Sequence, residues 1–212
     1  AKYGIAVGSG TDALLISLKT LNLKSGDEVI TAANTAIPTI SAIINAGGIP
    51  RLVDIGDDYL IDVKKIKKVI NKRTKAIIPV HLYGQMCNMD EIQSIAKKNK
   101  ITIIEDCAQS QGAKYKNKYS GTIGKFGCFS FYPTKILTSG EGGMLTTNNK
   151  KLADFARSYQ NRGRDLKKKY EVYNFLGRNV RMTEMSAVLG IIQLKKIKVF
   201  LEKRRQIAKI YK

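Results

Sequence analysis

Short runs of β-branched and aliphatic residues alternate along the chain with longer stretches whose apolar positions recur every three or four residues. The short runs, at 4–7, 28–31, 51–55, 75–80, 101–104, 128–132 and 144–147, predict strands. Between them, helices are predicted to start at Thr11, after Thr39, at Asp62 and at Asn88, and again over 151–159. A last, long helix opens at Thr183 and carries apolar residues at Val188, Leu189, Ile192 and Leu194. Ser, Thr, Asp or Asn stands at several of these starts, and Gly47 and Gly48 suit a helix end. Strands that alternate with helices predict an α/β fold, a mostly parallel sheet sandwiched by helices.

Composition narrows the picture. With 212 residues, 43% of them hydrophobic, the chain can bury one sizeable core. It has no run of eighteen apolar residues, so no membrane span is expected. Strand character begins at once, which predicts no secretory leader. Three cysteines, Cys87, Cys107 and Cys128, are an odd number at no metal-ligand spacing; free thiols in a reducing cytoplasm, and no metal, are expected. The formal charge of +20 raises nucleic-acid binding as an alternative. Many lysines, however, sit on polar helix faces, as at Lys64, Lys65, Lys67 and Lys68, and no aromatic residues interleave with them to stack bases. A solvated basic surface that attracts a diphosphate substrate is the preferred reading.

The candidate chemistry lies where strands end. Lys135 follows the aromatic run 128–132 and Pro133, just before a glycine-rich turn at 140–143. A lysine there can lose solvation at its amine and become nucleophilic toward a carbonyl. Asp106 closes another β-branched run, at the edge where open α/β sheets hold ligands. A lysine and a carboxylate so placed suit pyridoxal phosphate (PLP), which needs an amine for its aldehyde and an acid against its ring nitrogen. Taken singly, Lys135 reads as a loop lysine, Asp106 as a helix cap, Ser130 as a satisfied hydroxyl and His81 as a packed histidine. The turn Gly8, Ser9, Gly10 before a helix is by itself a weak phosphate cradle.

Several segments together resemble the DegT/DnrJ/StrS family of PLP-dependent sugar aminotransferases: Gly8 to Leu14, Glu105 to Gln109, Ser130 to Lys135, and Gly140 to Gly143. The resemblance spans essentially the whole chain and implies the fold type I large domain over 1–190. Residues 191–212 would then start the helix into a small C-terminal domain that is largely absent, as is an N-terminal segment. It implies that Lys135 carries the cofactor, that Gly10, Thr11 and Ser130 hold its phosphate, and that Asp106 and Gln109 hold its ring. Asn179 is expected to reach a partner's phosphate across a homodimer, with His81, Tyr83 and Arg181 beside the substrate. The implied reaction moves an amino group, by family analogy from glutamate, to a nucleotide-linked keto-sugar for surface-polysaccharide synthesis. Glycine-rich 138–143 resembles members acting at sugar carbon 4, and 34–39 resembles those acting at carbon 3. One departure stands out: Ala36 occupies the place where an aromatic residue often stacks on the ring. A non-catalytic regulator on the same fold is the rival reading. Residues 165–173 are polar without a period and are expected to form a mobile loop over the site.

Overall fold

The structure, a computed structural model, describes residues 1–211. Its main sheet holds seven strands: β1 (Tyr3–Val7), β2 (Glu28–Ala32), β3 (Ile49–Val53), β4 (Thr74–Ile78), β5 (Thr102–Asp106), and, after a small hairpin of β6 (Lys114–Tyr115) and β7 (Lys118–Tyr119), β8 (Phe126–Ser130) and β9 (Gly143–Thr147). Their order is β1-β9-β8-β5-β4-β2-β3. Every neighbouring pair is parallel except those involving β9, so β1 points the same way as β8. The helices are α1 (Gly10–Lys19), α2 (Ile37–Ala46), α3 (Val63–Val69), α4 (Met89–Asn99), α5 (Lys150–Gln160) and α6 (Glu184–Ile210).

Burial on both faces explains why the strands read as continuous apolar runs. On one face Val29, Ile78, Ile104 and Phe126 pack against α1, α2 and α5 through Leu14, Leu15, Ile43 and Ala153. Ile30, Ile77 and Ile103 point the other way and meet Ile66, Met89 and Ile92 of α3 and α4. Each such side chain contributes about 1.5–3 kcal/mol. Side-chain caps add about 1 kcal/mol each: Ser9 accepts from Asp12 N–H, Asp62 from Lys64 N–H, Asn88 from Glu91 N–H and Thr183 from Ser186 N–H. The two-sided sheet therefore sets the stability, and the caps set where helices begin.

Two strands start and end two residues earlier than the pattern predicts. β3 covers Ile49–Val53 because it pairs in register with all of β2; Pro50 is tolerated there since β3 is an edge strand. β8 ends at Ser130 because Phe131 curls away: its N–H donates to the Gly142 carbonyl and its carbonyl accepts from Ser139 N–H, both at 2.9 Å. Residues 165–173 lie beside α5, where Asp165 N–H donates to Val172 O and Ser158 Oγ to Arg164 O. α6 runs unbroken through residue 190 and buries no residue fully. Among the described residues no helix is long and apolar enough to cross a membrane.

Candidate active site

Because β1 and β8 run parallel, the turns after β1, β2, β5 and β8 all emerge at one edge of the sheet, joined there by the start of antiparallel β9. They enclose a cavity of about 360 Å³. Its wall comprises Ser9, Gly10, Thr11 and Leu14 from the start of α1, Ala36, Pro38 and Thr39 from the start of α2, Asp106 and Ala108 after β5, Cys128 and Ser130 of β8, then Tyr132, Lys135 and Glu141. Five of the residues singled out from the sequence, Gly10, Thr11, Asp106, Ser130 and Lys135, meet here.

One end of the cavity is built for an anion. Ser9 Oγ caps Asp12 N–H at 3.1 Å, which leaves the Gly10 and Thr11 N–H groups in the first turn without intrahelical acceptors. Ser130 packs directly against this turn, and a Cβ on residue 10 would lie 2.7 Å from Ser130 Cβ. Glycine is required there by close approach. Another part of the wall, at Asp106, suits a cation or an N–H donor. Asp106 is 5% exposed and accepts from Thr39 Oγ at 2.8 Å and from Ala108 N–H at 3.1 Å. Burial pushes its carboxyl above the usual range; the Ala108 and Thr39 bonds, and more weakly the charge of Lys135, pull the other way. Lys135 is half-buried on the cavity wall. Cys128 also lines the wall, but burial pushes its thiol up and leaves it unreactive.

The remaining sequence candidates lie outside the wall. Gln109 Oε1 accepts from the Tyr83 N–H at 2.9 Å, and Tyr83 itself is exposed with φ 57°. His81 is fully buried behind the site. Its Nδ1 accepts from Cys87 N–H at 3.3 Å and its Nε2 bonds Glu105 at 3.1 Å, which fixes the proton on Nε2. Its backbone N–H donates to Asp106 O, so it touches the site through that peptide. Asn179 and Arg181 are exposed on a segment that runs along the open edge of β1, where Gly8 N–H donates to Val180 O at 2.7 Å; Arg181 Nη1 donates to Asn161 Oδ1. No residue of 165–173 lines the cavity.

Two functional-looking residues escaped the sequence reading. Thr39 touches Asp106; the signal was the spacing of Thr35 and Thr39, which puts two hydroxyls on one helical face at a strand's end. Glu105 is the other. It is completely buried on the opposite face of β5 and accepts from Gly121, Ile123 and Gly124 N–H groups as well as His81. A lone carboxylate inside a β-branched run, out of phase with Asp106, could have flagged it. His81, Glu105 and Cys107 place ligand-type atoms within 4.8 Å of one another, yet the ring and carboxylate are already taken by these hydrogen bonds.

An anion cradle, a buried acid and a lysine on one cavity wall match the three polar features of PLP: phosphate, ring nitrogen and aldehyde. Glycine at 10 leaves the cradle open, and Asp106, with only two donors, has acceptor capacity to spare. The residues fit the group.

The class so defined is a fold type I transferase domain, and comparison makes it specific. The DegT/DnrJ/EryC1/StrS aminotransferase family matches residues 1–212, and this chain belongs to that family. It is 40% identical over 212 residues to GDP-perosamine synthase of Escherichia coli O157:H7, covering 100% of this chain and 58% of that protein. Among solved structures it superposes on the Helicobacter pylori aminotransferase PseC, involved in pseudaminic acid biosynthesis, with a TM-score of 0.95 and 30% identity, over 100% of this chain and 58% of that one. Bacillus subtilis NtdA, solved with bound pyridoxamine phosphate, matches with a TM-score of 0.86 and 36% identity, over 93% of this chain and 45% of that one. The chain thus spans less than three-fifths of the length of these relatives.

Proposed function

We propose that this chain forms the cofactor-binding domain of a PLP-dependent aminotransferase that moves an amino group from an amino acid to a nucleotide-linked keto-sugar. The observation that carries this reading is the convergence of Asp106, Lys135 and the open first turn of α1 on one cavity. Bound PLP supplies an electron sink that lets an amino group leave one carbon skeleton and join another. The Gly10 and Thr11 N–H groups with the Thr11 and Ser130 hydroxyls bind the phosphate. Asp106, buried with two hydrogen bonds, would hold a proton on the ring nitrogen. Lys135 carries the cofactor and, once free, moves a proton at the substrate's α-carbon with its Nζ. Gln109 holds the ring hydroxyl. Ala36, Pro38 and Tyr132 line the cavity and would flank the ring.

The acceptor is a keto-sugar nucleotide, a reading supported by relatives named for nucleotide-linked amino sugars such as GDP-perosamine; the donor, by family analogy, is glutamate, and the basic surface favours the diphosphate. Asn179 and Arg181, exposed and outside their own cavity, complete a partner's site in a homodimer, with Tyr83 near the substrate; His81, buried behind the site, acts only through its backbone bond to Asp106. Residues 1–190 form the large domain, and α6 leads toward a further one. Three buried, unpaired thiols suit a reducing cytoplasm. The test is amino transfer from L-glutamate to a panel of nucleotide-linked 3- and 4-keto-sugars, read as 2-oxoglutarate release. Release that needs both substrates and vanishes in Lys135→Ala supports the reading. PLP binding without release from any pair supports the non-catalytic rival instead.

A further inference from the structure

The two buried carboxylates at the end of β5 are supported unequally. Glu105 receives four hydrogen bonds, whereas Asp106 receives two, and one of these comes from a side chain: Thr39 Oγ at 2.8 Å. Thr39 is 1% exposed. Its oxygen accepts from Thr35 Oγ, also at 2.8 Å. A hydroxyl has one proton. With Thr35 donating to it, the Thr39 proton is directed at Asp106 Oδ2. Both threonines belong to the first turn of α2 and its lead-in, where Ala36 provides no side-chain cap. The two hydroxyls thus form a relay, Thr35 donating to Thr39 and Thr39 to the carboxylate, and neither oxygen caps the helix. Lys135 is the cation facing Asp106 across the cavity, and His81 and Glu105 lie behind it.

Building on the cofactor reading above, we propose that Thr39, oriented by Thr35, is a positioning residue for the cofactor: it fixes the Asp106 carboxylate against the ring nitrogen and supplies one of the only two protein hydrogen bonds to its charge. A carboxylate without Thr39 keeps only the Ala108 N–H, can rotate, and holds the ring proton less firmly.

The experiment is a double-mutant cycle on the PLP-loaded protein with Thr39→Val, Asp106→Asn and both together. Valine matches the volume of threonine and deletes only the hydroxyl. The readouts are PLP dissociation constant and the visible absorption spectrum of the bound cofactor. Expected are a Kd raised about tenfold in Thr39→Val, the size of one hydrogen bond to a charged group, and a spectrum moved toward that of Asp106→Asn. In the Asp106→Asn background the same change should cost less than about twofold. Thr39→Ser should restore wild-type values, and Thr35→Val should shift both readouts in the same direction by less. A wild-type Kd and spectrum in Thr39→Val would overturn the proposal, as would an equal loss in both backgrounds, which marks a packing role. Should Thr39→Val not fold, Thr39→Ser against Thr35→Val decides: equal shifts in the two, or none in either, overturn it. If wild-type protein takes up no PLP, the cofactor reading itself falls, and the proposal with it.

Discussion

Glu105 and Asp106 are neighbours on one strand, both buried, and they do opposite things. Glu105 faces the back of the sheet; burial pushes its carboxyl up, but the bond from His81 and the Gly124 and Gly121 N–H groups outweigh this and hold it below its ordinary value. Asp106 faces the cavity with two donors, and there burial wins. Equal burial with unequal hydrogen bonding separates a structural anion from a functional one. The first is complete within the fold; the second is left short of partners until a cation arrives. That difference locates the site more sharply than burial or residue type alone.

The comparison breaks most visibly at Glu105. Glu105→Ala strands the buried Gly121 N–H, the part-buried Ile123 and Gly124 N–H groups and the His81 ring, and should lower unfolding free energy by on the order of 3–5 kcal/mol, read from urea denaturation. Asp106→Asn should leave the apo fold at least as stable as wild type at pH 7, because it removes a buried charge whose two hydrogen bonds do not offset its burial. Its cost appears in PLP affinity, weaker by about ten- to a hundredfold, the loss of a hydrogen bond to a charged group. Smaller still, Ser130→Ala should weaken PLP binding by roughly tenfold with no change in the cofactor's spectrum, since it touches the phosphate end.

Stability against pH sharpens the same contrast, with opposite signs. The folded-state value of Glu105 is depressed, so its contribution is full above the ordinary carboxylate range, near pH 4.3, and is lost as pH falls through the folded value. Asp106 is raised, so its contribution is present below the ordinary range and is lost as pH rises through the folded value. The apo stability advantage of Asp106→Asn over wild type should therefore shrink as pH falls from 7 toward 4. Urea midpoints at several pH values check this; an advantage that grows on acidification would contradict it.

Much of this was legible in the sequence where local chemistry decides. Strand runs buried on both faces gave the parallel sheet, and Asp62, Asn88 and Thr183 cap the helices they were expected to open, while Ser9, read as part of a turn, caps the helix expected from Thr11. Asp106, Lys135 and the first turn of α1 were visible because each sits at a strand end. What escaped depends on distant pairing. The early start of β8 was hidden by Gly127, which discourages a strand reading but is required because a Cβ there would collide with Gly121. The loop 165–173 was placed over the cavity by polarity alone, whereas its contacts with α5 hold it elsewhere. His81 was expected near substrate; its burial beneath Asp106 follows from Glu105, 24 residues away. No local pattern reveals that bond, or the one from Thr39 to Asp106 across 67 residues.

The measurement that tests the central claim most directly is selective labelling. The protein incubated with PLP, reduced with borohydride and digested should carry the pyridoxyl group on Lys135, with a visible band before reduction that Asp106→Asn shifts and Lys135→Ala removes. With 28 lysines in the chain, chance modification would spread over many sites. A label distributed among surface lysines, or one whose band persists in Lys135→Ala, would contradict the account.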